Sequence, residues 1–101
     1  MELLPIAFAN EFVAGRVGQR VKVAGMRQTW RRTATAREDF VYFMALEDLE
    51  GMLDVVITGE VYRRCRAALS DSAGPFVLEG VMERDAATGE PSLRAQRIDR
   101  V

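Results

Sequence analysis

Aromatic and basic residues interleave in the first half of the chain. Trp30, the only tryptophan, stands among arginines, and Phe43 follows in a segment rich in aromatic residues. Aromatic rings stack on nucleic-acid bases, and arginines contact the phosphates of the same strand. These residue types and spacings predict contacts with a single-stranded nucleic acid. The predicted contact residues are Arg27, Trp30, Arg31, Arg32, Arg37 and Phe43.

The charges are segregated along the chain, although their sum is only −1. Residues 16–37 contain seven basic residues and no acid, whereas residues 38–60 contain seven acids and no base. A local basic stretch supplies a binding field that the whole-chain sum hides. The basic stretch therefore favours a nucleic-acid partner, and the acidic stretch favours a protein partner.

Few residues are suited to catalysis or metal binding. The chain has no histidine, and its single cysteine, Cys65, falls on the apolar face of a predicted helix. Glu47 and Asp48 are adjacent at a strand end, so their side chains point to opposite sides and do not converge on a metal. We expect a non-catalytic chain that has no cofactor, no metal and no small-molecule substrate. The sequence also has no signal-peptide pattern and no long apolar run, so we expect a cytoplasmic location and no membrane partner.

Hydrophobic periodicity and turn residues predict five strands and one helix. The fourth element is a helix from about Glu60 to about Ser70, and Gly25 and Gly80 mark expected bends inside strands. This order, β-β-β-α-β-β, predicts an all-β fold with one helix: a five-stranded OB-fold Greek-key barrel with the helix between strands three and four. The strands are expected at residues 19–32, 40–46, 52–58, 75–84 and 92–101.

The predicted barrel occupies residues 18–101. Residues 1–17 are assigned to an N-terminal linker or a short helical plug, since Pro5 interrupts any early helix and apolar residues follow it. The ligand surface of an OB-fold typically combines strands two and three with the loops that join strands one to two and four to five. Those loops are expected here at residues 33–39 and 85–91.

Strand alternation decides which aromatic side chains could meet a ligand. Alternate residues from Tyr42 to Leu46, and the bulky residues from Leu53 to Ile57, are expected to face the barrel interior. Phe43 is then left on the outer face, where a base could stack on it. Each predicted contact also has an alternative of its own. Phe43 is covered by the N-terminal segment or a neighbouring domain, Trp30 is an ordinary barrel-edge residue, or the arginines are solvated.

Several landmark residues together resemble a known domain. They are Val23-Ala24-Gly25, Arg31, Thr35-Ala36-Arg37, Phe43, and Leu46-Glu47-Asp48 followed by Gly51. With them, residues 18–101 resemble the OB domain in the C-terminal region of bacterial replicative DNA polymerase III alpha subunits, and at least equally that of their error-prone paralogues. The anticodon-binding domains of class II aminoacyl-tRNA synthetases share the broader pattern, and there the phenylalanine that matches Phe43 stacks on an anticodon base.

Two positions depart from the polymerase pattern. Glu38-Asp39 replaces the glycine that usually follows the basic loop residue, and Thr58-Gly59 replaces an aromatic-proline pair. We expect the two acids to weaken phosphate contact beside Arg37.

The resemblance leaves three functions open. The first is a single-stranded DNA-binding module that guides the template strand near a polymerase. The second is a protein-interaction module that docks on other polymerase domains or subunits, and the third is RNA or anticodon binding.

Overall fold

The computed structural model describes residues 2–10, 18–37, 39–70, 73–85 and 88–101. The strands and the helix follow the predicted order, and each strand begins and ends within two residues of its expected bounds. Within the described ranges, no helix is long and apolar enough to cross a membrane. The elements are β1 (Arg20–Ala34), β2 (Phe40–Glu47), β3 (Met52–Thr58), α1 (Gly59–Leu69), β4 (Phe76–Arg84) and β5 (Pro91–Arg100).

The five strands close into a barrel in the order β1-β2-β3-β5-β4. The long strand β1 belongs to both halves of the barrel: its first part pairs with β4 from Arg20 to Gly25, and its second part pairs with β2 from Met26 to Ala34. β3 and β5 close the barrel as a parallel pair, and the other pairs are antiparallel. This is the predicted OB-fold, with α1 between β3 and β4.

The two strand glycines lie where the barrel must bend. At Gly25, β1 changes its partner from β4 to β2, and a Cβ at this position would lie 2.5 Å from the carbonyl oxygen of Glu47. At Gly80, the pairing of β4 with β5 shifts by one residue, and a Cβ would clash with the backbone carbonyl of Arg94. Both positions therefore lack a side chain because a neighbouring backbone occupies that space.

The barrel interior is filled by the alternate residues that the strand pattern predicts. Tyr42, Met44 and Leu46 of β2 are buried, and Leu53, Val55 and Ile57 of β3 are buried opposite them. β4 and β5 add further fully buried side chains, including Phe76, Leu78, Met82 and Leu93. The predicted inward orientation of these strands is confirmed, and Cys65 is buried on α1 as expected.

The N-terminal segment packs against the β2–β3 turn. Residues 6–10 form a helical turn in which Ile6 and Ala9 are fully buried. The Asp48 carboxylate accepts hydrogen bonds from the N–H groups of Ile6, Glu50 and Gly51 at 2.8, 2.9 and 3.0 Å. Asp48 thus links the segment to the barrel. Residues 11–17, the rest of the predicted linker or plug, lie outside the described residues.

The stability of this link is expected to depend on pH. Burial raises the pKa of Asp48, but its hydrogen bonds from backbone N–H groups outweigh burial, so the pKa lies below its ordinary value of 3.8. A lowered pKa stabilises the folded state above the unfolded pKa, and this contribution is lost as the pH falls through the folded pKa. We therefore expect the urea midpoint of the native protein to fall more steeply below about pH 4 than that of Asp48→Asn. Parallel midpoint curves for the two proteins would show that the Asp48 carboxylate does not contribute in this way.

Candidate nucleic-acid interface

Phe43 lies on the outer face of the barrel, as strand alternation predicts. Its neighbours across the sheet are Arg31 on β1 and Val56 on β3, and its ring is half-buried between them. The guanidinium carbon of Arg31 lies 4.5 Å from the centroid of the Phe43 ring, within the range of a cation–π contact. The structure thus brings together one predicted aromatic residue and one predicted arginine.

Phe43 and Arg31 line a shallow groove of about 300 Å³ on this face. The floor is formed by β2 and β3, and the loop between β4 and β5 forms one wall. This is the typical location of an OB-fold ligand surface, between strands two and three and the flanking loops. We call it the Phe43 groove. Its described lining includes Thr29, Arg31, Phe43, Asp54, Val56, Asp85, Thr88, Glu90 and Pro91.

The charge of the Phe43 groove is mixed. Arg31 is the single arginine among its described lining residues, whereas Asp54, Asp85 and Glu90 contribute three carboxylates. Arg94, which is paired with Val56 across the β3–β5 ladder, is held by Glu83 at 3.0 Å. Few cationic side chains in this groove are therefore available to contact a phosphate. The nearby carboxylates repel a polyanion.

Arg37 lies in the loop that joins β1 to β2, where its side chain is exposed. The hydroxyl oxygen of Thr35 accepts hydrogen bonds from the N–H groups of Arg37 and Asp39, each at 3.3 Å. The Thr35 N–H in turn donates to the Asp39 carbonyl at 2.8 Å, which closes the loop. The loop therefore presents Arg37 to solvent at its tip. Glu38, one of the two acids expected to weaken phosphate contact, lies outside the described residues.

Asp39, the other acid, faces the helix. Its carboxylate accepts a hydrogen bond from the Phe40 N–H at 2.8 Å and one from Arg63 at 3.3 Å, and it lies against Gly59 at the start of α1. The Phe40 N–H, assisted by Arg63 and opposed by burial, lowers the pKa of Asp39. Arg63 thus partly balances the charge that the sequence places beside Arg37.

Trp30 lies on the other side of β1 from Arg31. A bulge at Gln28 shifts the pairing of β1 with β2, so that Trp30 lies opposite Met44, on the barrel side of the strand. The same shift places Trp30 beside Arg27, whose guanidinium carbon lies 5.2 Å from the Trp30 ring centroid. The indole also lies near α1, where the ring centroid of Tyr62 is 5.9 Å away.

The six predicted contact residues are therefore divided between separate places. Arg31 and Phe43 share the outer groove, and Arg27 and Trp30 lie together on the opposite side of β1. Arg32 lies over the ring of Phe40 at 4.5 Å, and Arg37 stands at the loop tip. The predicted contact residues thus lie on two faces of β1 and β2 and at the tip of the β1–β2 loop.

Two residues of α1 join Trp30 although the sequence pattern does not single them out. Tyr62 lies with its ring centroid 5.9 Å from Trp30, and Arg66 lines the same groove. The helical spacing partly indicates the position of Tyr62, because this residue is three residues before Cys65 and seven before Leu69, both of which are buried. Tyr62 is therefore expected on the side of α1 that faces the barrel. The presence of Arg66 in the same groove as Trp30 depends on how α1 packs on the barrel, and no local pattern predicts it.

Comparison with known proteins supports the resemblance seen in the sequence. The chain is 32% identical, over 91 residues, to an error-prone DNA polymerase of Symbiobacterium thermophilum. The match covers 89% of this chain and 8% of that polymerase, so the chain spans a small part of its relative's length. No family model matches the chain.

Solved structures show the same fold at low sequence identity. Asparaginyl-tRNA synthetase of Pyrococcus horikoshii superposes with a TM-score of 0.69 and 16% identity, over 100% of this chain and 22% of that chain. A mitochondrial single-stranded DNA-binding protein of S. cerevisiae superposes with a TM-score of 0.61 and 11% identity, over 83% of this chain and 96% of that chain. The chain is thus an OB-fold domain that resembles a segment of a DNA polymerase.

Proposed function

We propose that this OB-fold domain binds single-stranded DNA on the outer face of β2 and β3 and guides a template strand near the active site of a larger DNA polymerase. The observation that carries the proposal is the Phe43 ring, which lies in a groove on the outer face with the Arg31 guanidinium 4.5 Å from its centroid. The similarity to an error-prone DNA polymerase over 89% of the chain supports the polymerase context. The fold shared with a single-stranded DNA-binding protein supports the class of ligand.

Binding is expected to exchange one partner of Phe43 for another. In the free domain, Arg31 lies over the ring, and an exposed cation–π contact contributes about 0.5–1 kcal/mol. A stacked base contributes about 1–3 kcal/mol, so a base can displace the guanidinium. The displaced guanidinium then becomes available to the phosphate of the same nucleotide. The exchange therefore favours the bound state.

Arg31 provides a direct test of this exchange. A phosphate contact to a single strand contributes about −0.7 to the slope of log affinity against log salt concentration. We expect Arg31→Ala to reduce the slope by about 0.7 in a titration of a labelled oligo-dT of about 12 nucleotides, a length within the range that one OB-fold covers. Fluorescence anisotropy at several salt concentrations measures both affinity and slope.

The matched control is Arg100→Ala, which removes an exposed arginine from the far end of β5 and should leave the slope unchanged. Absence of oligo-dT binding at low salt, or the same slope in Arg31→Ala and native protein, would contradict DNA binding in the Phe43 groove.

A second candidate function is supported by the acids of the same groove. Asp54, Asp85 and Glu90 would suit a basic segment of a neighbouring polymerase domain or subunit better than a polyanion. A protein-docking module of this kind would not bind oligo-dT at low salt, so the same titration separates the two functions. RNA binding is a further alternative, because asparaginyl-tRNA synthetase shares the fold. Competition between oligo-dT and oligo-U tests it.

A further inference from the structure

A second groove lies on the opposite side of β1, between that strand and the end of α1. It has a volume of about 530 Å³, and the Trp30 side chain is 38% exposed in it. We call it the Trp30 groove. Its described lining residues are Arg27, Trp30, Tyr62, Arg66, Leu69 and Ser70.

The aromatic part of the Trp30 groove is packed against the barrel. Tyr62 of α1 stacks on Tyr42 of β2, with ring centroids 3.9 Å apart and an interplanar angle of 14°. Trp30 contacts both rings, at 5.3 Å from Tyr42 and 5.9 Å from Tyr62. Since Tyr42 is buried, this cluster holds the indole in place before any ligand arrives. The indole is therefore already ordered, and a base that stacks on it exchanges with the Arg27 guanidinium, which lies 5.2 Å from the ring centroid in the free domain.

Among the described residues, the lining of the Trp30 groove is more favourable to an anion than that of the Phe43 groove. Its described lining contains two arginines and no carboxylate, whereas the described lining of the Phe43 groove contains one arginine and three carboxylates. Arg27 is positioned by a hydrogen bond that its Nη1 donates to the Leu69 carbonyl at 3.3 Å. Arg66 is in the last turn of α1 and is exposed. Arg27 is next to the indole and Arg66 lines the same groove, so the groove offers two guanidinium groups to a phosphate.

We propose that the Trp30 groove is a second nucleotide subsite, in which a base stacks on Trp30 and the adjoining phosphate is held by Arg27 and Arg66. The inference takes its ligand class, single-stranded DNA, from the proposed function, but it does not depend on Phe43. A base–indole stack and guanidinium–phosphate contacts are the two interactions that single-strand binding combines.

One DNA strand could reach both subsites. Trp30 and Arg31 are consecutive residues whose side chains lie on opposite sides of β1. In this part of β1, β2 is the only partner among the described strands, so the other edge of β1 is not covered by a strand. A single-stranded DNA that passes over this edge would place one base on Phe43 and another on Trp30.

Trp30 fluorescence tests the second subsite, because stacking on a base quenches an indole. Titration of the native protein with unlabelled oligo-dT of about 12 nucleotides should give saturable quenching. Arg66→Ala should weaken the binding measured by quenching about three- to tenfold and reduce its salt slope by about 0.7, because it removes one phosphate contact. Arg64→Ala is the matched control on the same helix, since the Arg64 side chain contacts the Gln96 carbonyl on β5.

Phe43→Ala separates this inference from the proposed function. If both hold, Phe43→Ala weakens binding but leaves the quenching at saturation unchanged. Binding detected by anisotropy without quenching, and with equal affinity in Arg66→Ala, would overturn the Trp30 subsite and leave the Phe43 groove standing. Quenching that is weakened by Arg66→Ala but not by Phe43→Ala would support the Trp30 subsite and contradict the Phe43 groove. Absence of any binding at low salt would overturn both.

Discussion

Replacing Phe43 by alanine is expected to weaken the binding of oligo-dT by about 5- to 150-fold, because a base stacked on an aromatic ring contributes about 1–3 kcal/mol. The ring is on the outer face of β2, and the residues that fill the barrel are its neighbours Tyr42 and Met44. Truncation of Phe43 therefore removes the stacking surface without opening a cavity in the core. Fluorescence anisotropy with labelled oligo-dT at low salt measures the loss.

Two further variants distinguish stacking from a general loss of apolar surface. Phe43→Leu keeps an apolar side chain but has no ring, so it should bind nearly as weakly as Phe43→Ala. Leu49→Ala removes a fully exposed apolar side chain from the β2–β3 turn and should bind like the native protein. Native affinity in Phe43→Ala, with an unchanged thermal unfolding midpoint, would show that no base stacks on this ring.

The features of the site that follow from local strand geometry were predictable from the sequence. Alternation along β2 and β3 places Phe43 outward, because the bulky residues from Leu53 to Ile57 must fill the barrel. The order of the strands and the helix along the chain follows from hydrophobic periodicity, which is an equally local signal. The two bends follow from Gly25 and Gly80, which have no side chain. Which side chains of a strand face the barrel interior can be predicted from that strand and its neighbour alone, because the side chains of a strand alternate regularly between its two faces.

The division of the predicted contact residues was not predictable, because it depends on one extra residue in β1. Without the bulge at Gln28, Arg27 and Arg31 would lie on the same side of the strand. With it, Arg27 joins Trp30, and Arg31 joins Phe43. No glycine marks this bulge, so the pattern of residues does not reveal it. The position of the bulge follows from the register of β1 with β2, which is a long-range property.

Long-range contacts also change the expected role of the loop acids. The sequence places Asp39 close to Arg37 and predicts a weakened phosphate contact. In the structure, Arg63 of α1 pairs with the Asp39 carboxylate across 24 positions of sequence. The carboxylates that line the Phe43 groove come instead from Asp54 and from the β4–β5 loop. Weakened phosphate contact is therefore expected in the Phe43 groove, from these carboxylates, rather than from Asp39 beside Arg37.

The barrel closure that shapes the Phe43 groove depends on close approach of β4 to β5. β5 also pairs with β3, and the β4–β5 loop forms one wall of the groove. At Gly80 the two backbones approach so closely that a Cβ would clash with the Arg94 carbonyl and lie 3.0 Å from the Ala95 Cα. Both obstacles are backbone atoms of β5, so they cannot be relieved by a change of side-chain rotamer.

Gly80→Ala is therefore expected to lower the free energy of unfolding by about 3 kcal/mol, the upper end of the usual cost of overpacking. In a domain of this size, that loss lowers the thermal midpoint by roughly 12–24 °C. The matched control is Gly51→Ala, whose added Cβ would meet its nearest atoms at 3.5 Å, an ordinary contact distance, so its midpoint should change little. Thermal unfolding followed by circular dichroism measures both variants. An unchanged thermal midpoint in Gly80→Ala would mean that β4 and β5 can separate at Gly80 without loss of stability. The wall of the Phe43 groove would then not be fixed by this contact.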